Sequence, residues 1–275
     1  MKIKRKKIKI GIVGCGAIGS RIAHSIKKEL KDTCVVSGLF DINADRMRRL
    51  ARDIKTTSAA KRSLSAMLND CDLVVEAIAS THTPAVIRQI LRAKKDILIM
   101  SVGKVLNAPG LFRLAKKNNC TMLLPSGAIA GIDAIKAAVT AGISSITLTT
   151  RKPISGFTQM PYLTKKGIRL KALTKETVLF DGGVDEAVKI FPRNINVAAT
   201  LALASQAKKK LRIKITASPY FTSNSHEIIV AGAFGRITTR TENVPCPDNP
   251  KTSYLAVLSG IRTLQQFFEA IKIGT

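Results

Sequence analysis

Three glycines near the start of the chain, Gly14, Gly16 and Gly19, stand in a G-x-G-x-x-G spacing, after the apolar run from Ile8 to Val13 and before a helical pattern. That spacing suits the grip of a pyrophosphate. Gly14 permits a tight turn, Gly16 lets the backbone approach phosphate oxygens, and Gly19 lets the following helix pack closely on the strand. The start of that helix, at Ala17 and Ile18, offers N–H groups without intrahelical partners and the positive end of a dipole. Alone the pattern is weak, because glycine-rich turns occur in many α/β proteins. Here an acid, Asp41, lies 22 residues past Gly19 at the end of the next apolar run, and the combination is much more specific. A carboxylate there accepts hydrogen bonds from both hydroxyls of an adenosine ribose and repels a 2′-phosphate, which favours NAD. Arg46 and Arg48 follow closely enough to leave NADP open.

Hydride chemistry on such a cofactor usually needs a proton donor or acceptor near neutral pH, a role that suits histidine best. The chain has three. His24 falls inside the first helix and reads as an ordinary helix residue. His82, in Ser80-Thr81-His82-Thr83-Pro84, follows a strand and sits on the carboxyl-end rim where ligands bind in parallel sheets. His226, in Ser223-Asn224-Ser225-His226-Glu227, stands at the start of a later strand. Spacing alone does not choose between His82 and His226.

The elements that must position these residues fall into two patterns. Strands at 8–13, 34–40, 73–79, 97–102 and 121–125 alternate with helices at 17–30, 44–54, 64–68, 84–93 and 107–118, the order of a doubly wound parallel sheet. After Pro125 the pattern changes to strands at 145–150, 177–181, 212–217, 226–231 and 235–241, with helices at 131–141, 184–190 and 195–207. The last stretch, 251–271, is expected as a helix, with Asn249 as its cap and Pro250 at its first position. Its apolar face needs a partner, and the first domain is the expected one. The fold class is therefore α/β: an N-terminal Rossmann domain over residues 1–125, a second α+β domain of mixed sheet over 126–246, and a C-terminal segment over 247–275 whose helix returns to the Rossmann domain.

Composition bounds what such a chain does. Lysine and arginine number 45 against 18 acids, for a net charge of +27. Six of the first nine residues are basic, but the other basic pairs are scattered, from Lys27-Lys28 to Lys208-Lys209-Lys210. Aromatics are 4% and no nucleic-acid motif is present, so stacking platforms for nucleic acid are not evident. A basic surface also draws in anionic substrates and cofactors. The five cysteines are widely spaced, with no CxxC and no Cys/His metal spacing. No metal site is expected, and a reducing cytoplasm is the simplest compartment. The basic start followed by an apolar run resembles a signal peptide, but the run is short and broken by Gly14 and Gly16, and reads as strand and phosphate loop. No stretch approaches the roughly 20 apolar residues of a membrane span.

Over nearly its whole length the chain resembles the L-aspartate dehydrogenases. The residues that carry the resemblance are Gly11-Ile-Val-Gly-Cys-Gly-Ala-Ile-Gly19, Ser101-Val-Gly103, Pro125-Ser-Gly-Ala-Ile-Ala-Gly131, Thr150-Arg-Lys-Pro153, Phe191-Pro-Arg-Asn-Ile-Asn-Val-Ala-Ala199, Asn224-Ser-His226 and Asn249-Pro-Lys-Thr-Ser253. The resemblance implies oxidation of L-aspartate to iminoaspartate with NAD or NADP, feeding NAD biosynthesis, with the imine hydrolysing to oxaloacetate and ammonia. It implies His226 as the catalytic histidine, further cofactor contacts at Ala130 and Asn196, and a homodimer or homotetramer. For the two substrate carboxylates, Lys251 is the first cation to consider, as a lysine at the expected helix start; Asn194 and Thr252 are further candidates. Other readings are a Rossmann reductase of the homoserine dehydrogenase or dihydrodipicolinate reductase type, and an NAD-binding sensor that uses its charge on nucleic acid.

Overall fold

The computed structural model describes residues 7–157, 160–191, 195–247 and 249–274, with Pro250 and Lys251 described by their backbone alone. The chain divides into two compact units, one of residues 1–125 and 257–271, the other of residues 126–256 and 272–275.

In the first unit the order is β1 (Ile8–Val13), α1 (Ala17–Lys28), β2 (Cys34–Phe40), α2 (Ala44–Asp53), α3 (Leu64–Asn69), β3 (Leu73–Glu76), α4 (Thr83–Arg92), β4 (Asp96–Ile99), α5 (Pro109–Lys117) and β5 (Met122–Leu123). The strands form one parallel sheet in the order β2-β1-β3-β4-β5. Parallel strands covered on both faces must be apolar throughout. Accordingly Ile10, Ile12, Leu73, Val74, Val75, Ile97, Leu98 and Ile99 are all buried. Helix α1 packs through Ile22, Ala23 and Ile26, and Asn43 and Ser63 cap α2 and α3 by accepting from the N–H groups of Arg46 and Ala66. The order reverses at β1, with β2 on one side and β3 on the other, and that switch point is where such sheets bind dinucleotides.

The second unit contains α6 (Ile132–Ala138), β6 (Ile143–Pro153), α7 (Pro161–Lys165), β7 (Thr177–Gly183), α8 (Val184–Ile190), α9 (Asn196–Ser205), β8 (Leu211–Ser218), β9 (Asn224–Gly232), β10 (Gly235–Asn243), β11 (Pro245–Cys246) and β12 (Asn249–Ser253). Five of these strands form a mixed sheet in the order β10-β9-β6-β8-β7, in which only β6 and β8 run parallel. Ile146 and Leu148 of β6, Ile213 and Ile215 of β8, and Ile228 and Val230 of β9 are buried and share one covered face by the two-residue period of strands. Phe157, Tyr162, Phe180 and Phe191 meet edge to face with ring centroids 5.6–6.4 Å apart, which ties the turn after β6 to the end of α8.

The last helix, α10, runs over Tyr254–Phe268, later than the start at 251 expected from sequence. Asn249–Ser253 instead pairs antiparallel with Pro245–Cys246, and the Tyr254 N–H donates to the Val244 carbonyl at 3.0 Å. The Asn-Pro pair is therefore strand, and Lys251 is not a helix-start lysine. Local cap signals lost here to strand pairing. From Val257 onward the helix belongs to the first unit: Leu264 is fully buried in its core. Gly260 packs against the end of the Met100 side chain, whose sulfur a Cβ there would meet at 2.6 Å. The fifth parallel strand is shorter than the expected 121–125, and the helix α7 had no clear sequence signal. No helix among the described residues is long and apolar enough to cross a membrane.

Candidate active site

The glycine loop has the geometry its spacing predicts. Gly14 is buried at φ +95, where a side chain is strained, and a Cβ there would meet the Ala77 carbonyl oxygen at 2.5 Å. A Cβ on Gly19 would run into the carbonyl oxygen of Gly14 itself. Gly16 differs: its backbone is extended, and a Cβ would meet nothing within 4 Å. It is also the N-cap of α1, with no side-chain cap bond, and Ala17 and Ile18, its next two residues, are half-buried. An open cradle at a helix N-terminus, walled by glycines on both sides, fits a pyrophosphate.

Asp41 ends the second strand against this loop. One carboxylate oxygen accepts from the Cys15 N–H at 2.7 Å, the other from the Asn43 N–H at 2.8 Å. Each oxygen keeps a further lone pair for a hydroxyl donor. Arg46 lies 3.8 Å away and is more than half exposed, while Arg48 is paired with Asp45. Burial first, and the Asp41 charge second, push the Cys15 thiol up to about 12, so it stays protonated and is no nucleophile. Glu76, fully buried at the end of β3, accepts from Ser101 Oγ at 2.6 Å and from the N–H groups of Ile78 and Ser101. Burial raises its carboxyl above the ordinary range, and those donors pull the other way. It braces the ends of β3 and β4, and sequence reading did not single it out.

The three histidines separate clearly. His24 is exposed on α1, its Nδ1 2.8 Å from the Ser20 carbonyl. His82 is exposed at the N-cap of α4. His226 is 6% exposed, paired in register with Thr150 of β6 on one side and Thr241 of β10 on the other. Its Nδ1 lies 3.0 Å from Thr150 Oγ1. Burial, aided by the charge of Lys152, lowers its pKa to about 3, so the imidazole is neutral at physiological pH.

Several segments converge on this end of the second sheet. Thr241 Oγ1 and Asn243 Nδ2 both donate to the Ala128 carbonyl, at 2.8 and 3.1 Å, and Thr239 Oγ1 donates to that of Ala130 at 3.2 Å. Ser253 Oγ donates to Asn243 Oδ1 at 2.6 Å. The loop 125–131, His226 and β12 are thus joined through the end of β10. Ala130 is exposed, and Asn196 is exposed as the first residue of α9. Thr252 Oγ1 accepts from Asn249 Nδ2 at 3.1 Å. Asn194 and the Lys251 side chain lie outside the described residues. Thr150 and Lys152 went unassigned from sequence, although the two-residue period of the strand Thr150-Arg-Lys-Pro153 already puts them on one face. Among the described residues no cluster of three or more His, Cys, Asp or Glu could hold a metal ion.

A buried His226 has a consequence for stability. Its folded pKa lies below the ordinary 6.5, so between pH 6.5 and about 3 the unfolded chain binds a proton that the folded chain does not. Its contribution is whole above 6.5 and is lost as pH falls. Denaturant unfolding at pH 7 and pH 5 should show the wild type losing about 2 kcal/mol more than His226→Gln. Equal losses would mean that the imidazole titrates in solvent.

Comparison with known proteins agrees with this architecture. A family model described as aspartate dehydrogenase, C-terminal, matches residues 133–267, and one described as homoserine dehydrogenase, NAD binding domain, matches residues 14–125. An L-aspartate dehydrogenase of Methanosarcina acetivorans is 43% identical over 98% of this chain and 100% of its own length. The crystal structure of aspartate dehydrogenase from Thermotoga maritima superposes with a TM-score of 0.73 at 26% identity, covering 98% of this chain and 100% of that one. A homoserine dehydrogenase from Thiobacillus denitrificans shares the fold alone, with a TM-score of 0.59 at 13% identity over 94% of this chain and 72% of that one. By its full-length identity to curated members, the chain belongs to the L-aspartate dehydrogenase family.

Proposed function

We propose that the chain oxidises L-aspartate to iminoaspartate with NAD or NADP, that the imine hydrolyses to oxaloacetate and ammonia, and that the iminoaspartate serves NAD biosynthesis. The observation that carries this reading is a buried, neutral His226 held by Thr150 in a chain of this family.

Substrate arrives as an ammonium, and its amine must be neutral before hydride leaves Cα. His226 Nε2 takes that proton, in the tautomer whose Nδ1–H donates to Thr150 Oγ1. A bound NAD(P) supplies the hydride acceptor. Gly14, Gly16, Ala17, Ile18 and Gly19 cradle its pyrophosphate, Asp41 takes the ribose hydroxyls, and Ala130 and Asn196 contribute further contacts. Arg46, exposed beside Asp41, gives a 2′-phosphate a partner and keeps NADP within reach. Once that proton has passed to solvent, the His226 imidazole draws a proton from the water that adds to the imine carbon and returns it to the nitrogen, so that ammonia leaves and oxaloacetate remains. Lys251, Asn194 and Thr252 remain candidates for the substrate carboxylates. The +27 charge favours the approach of anionic substrate and cofactor. The five free cysteines suit a reducing cytoplasm, and a homodimer or homotetramer is the expected assembly.

Reduced cofactor should appear when L-aspartate is added to the purified chain with NAD, and not with other amino acids at the same concentration. Faster turnover of homoserine than of aspartate would overturn the assignment.

A further inference from the structure

A dinucleotide laid across the switch point of a parallel sheet has one half on each side of it. On the reading proposed above, Asp41 at the end of β2 takes the adenosine ribose, and the glycine loop after β1 takes the pyrophosphate. The sheet order puts β3 and then β4 on the far side of β1 from β2, so the nicotinamide half extends over the carboxyl ends of β3 and β4. Glu76 is the last residue of β3. It pairs in register with Val13 at the end of β1 and with Ile99 at the end of β4. The two residues after it wall the glycine loop. The Ala77 N–H donates to the Val13 carbonyl at 2.8 Å, and a Cβ on Gly14 would meet the Ala77 carbonyl oxygen at 2.5 Å and Ile78 Cγ2 at 2.8 Å.

The Glu76 side chain is fully buried at this place. One carboxylate oxygen accepts from the Ile78 N–H at 2.8 Å, the other from the N–H and the Oγ of Ser101 at 3.2 and 2.6 Å. Glutamine would turn its own N–H groups toward one of these backbone N–H groups, so the clamp selects an acid over its amide. The acid brings a charge as well as acceptors. Its three donors are neutral, and burial raises the carboxyl while those donors lower it. In the loops that follow β3 and β4, residues 77–83 and 100–108, only His82 and Lys104 are ionisable, and His82 is exposed. A buried charge is screened less than one in water and is felt at the rim above it. The nicotinamide ring carries a positive charge when oxidised and none when reduced. A cation arriving over Glu76 adds to the donors that favour the carboxylate.

We propose that Glu76 is the residue that discriminates between the redox states of the cofactor: its carboxylate attracts the cationic ring of NAD+ and gives the neutral ring of NADH no such advantage. The proposal rests on the reading that places a dinucleotide at the glycine loop, and deepens it. The clamp on Ile78 and Ser101 fixes both oxygens before the cofactor arrives, so the field needs no rearrangement. The direction suits oxidation of an amino acid, since the spent cofactor is held less tightly than the fresh one.

The test uses Glu76→Gln and Glu76→Asp in the full chain, with Kd values for NAD+, NADH and ADP-ribose by calorimetry and Tm as the folding check. ADP-ribose has no nicotinamide ring and reads the glycine loop and Asp41 alone. Glu76→Gln should weaken NAD+ binding by about 5- to 20-fold more than NADH binding, with ADP-ribose affinity kept. Glu76→Asp keeps the charge but shortens the clamp, so its Tm should fall while its ratio of NAD+ to NADH affinity stays near that of the wild type. Loss of the clamp alone weakens both redox states alike. An equal loss of NAD+ and NADH in Glu76→Gln would therefore overturn the proposal, as would a Glu76→Asp ratio equal to that of Glu76→Gln. With ADP-ribose still bound, either result leaves the reading of the glycine loop standing. A wild-type chain that binds none of the three nucleotides would sink that reading and the proposal together. If Glu76→Gln melts below the assay temperature, Glu76→Met combined with Ser101→Ala removes the same charge and leaves no hydroxyl unpaired, and the same ratio decides.

Discussion

His226→Ala is expected to lose kcat by about 10²- to 10⁴-fold while it still binds NADH, and His82→Ala is expected to keep most of its turnover. The difference follows from where the two rings lie. His82 caps α4 in solvent, in water at an ordinary position for a polar side chain. His226 is enclosed, in hydrogen-bond reach of Thr150, and kept neutral by burial. Steady-state kinetics on both variants, with NADH binding by fluorescence, decide the matter. A strong loss in His82→Ala together with an active His226→Ala would move the base to the rim of the first sheet.

The glycine loop should divide into two kinds of glycine when each is changed to alanine. Gly19→Ala places a methyl inside the Gly14 carbonyl, so the loop and α1 must part. A cost beyond about 4 kcal/mol is expected, large against the 5–15 kcal/mol that holds a typical domain together. Gly16→Ala adds a methyl where nothing lies within 4 Å, at an extended backbone that any residue adopts. The fold should therefore stand, and the loss should appear only when a pyrophosphate comes close. Overpacking of that kind costs about 1–3 kcal/mol, or roughly 5- to 150-fold in the Kd for NADH. Thermal unfolding and NADH titration on both variants check the split. A stable Gly16→Ala with wild-type affinity would mean that the phosphates do not approach this residue.

Much of this was legible in the amino-acid order. The parallel sheet follows from apolar runs alternating with helical periods, a local signal repeated along the first 125 residues. The dinucleotide loop follows from three glycines and one acid at fixed offsets, because each answers a requirement of the backbone. The family segments were legible as strings, yet strings do not say which side chains meet. The misread helix start at Asn249 shows the limit. Asn-Pro is a good local cap, but the partner strand Pro245–Cys246, contributed from outside the segment, bound its backbone first.

For the glycine loop, then, the sequence by itself determined the site, since turn, cradle and helix start are consecutive in the chain. For His226, spacing left a candidate of equal standing with His82, and the family resemblance alone favoured it. Tertiary structure adds what spacing could not supply, the burial of His226 and a Thr150 partner on a strand 76 residues away. The same strand brings Lys152 to His226, through a register between β6 and β9 that no local rule specifies.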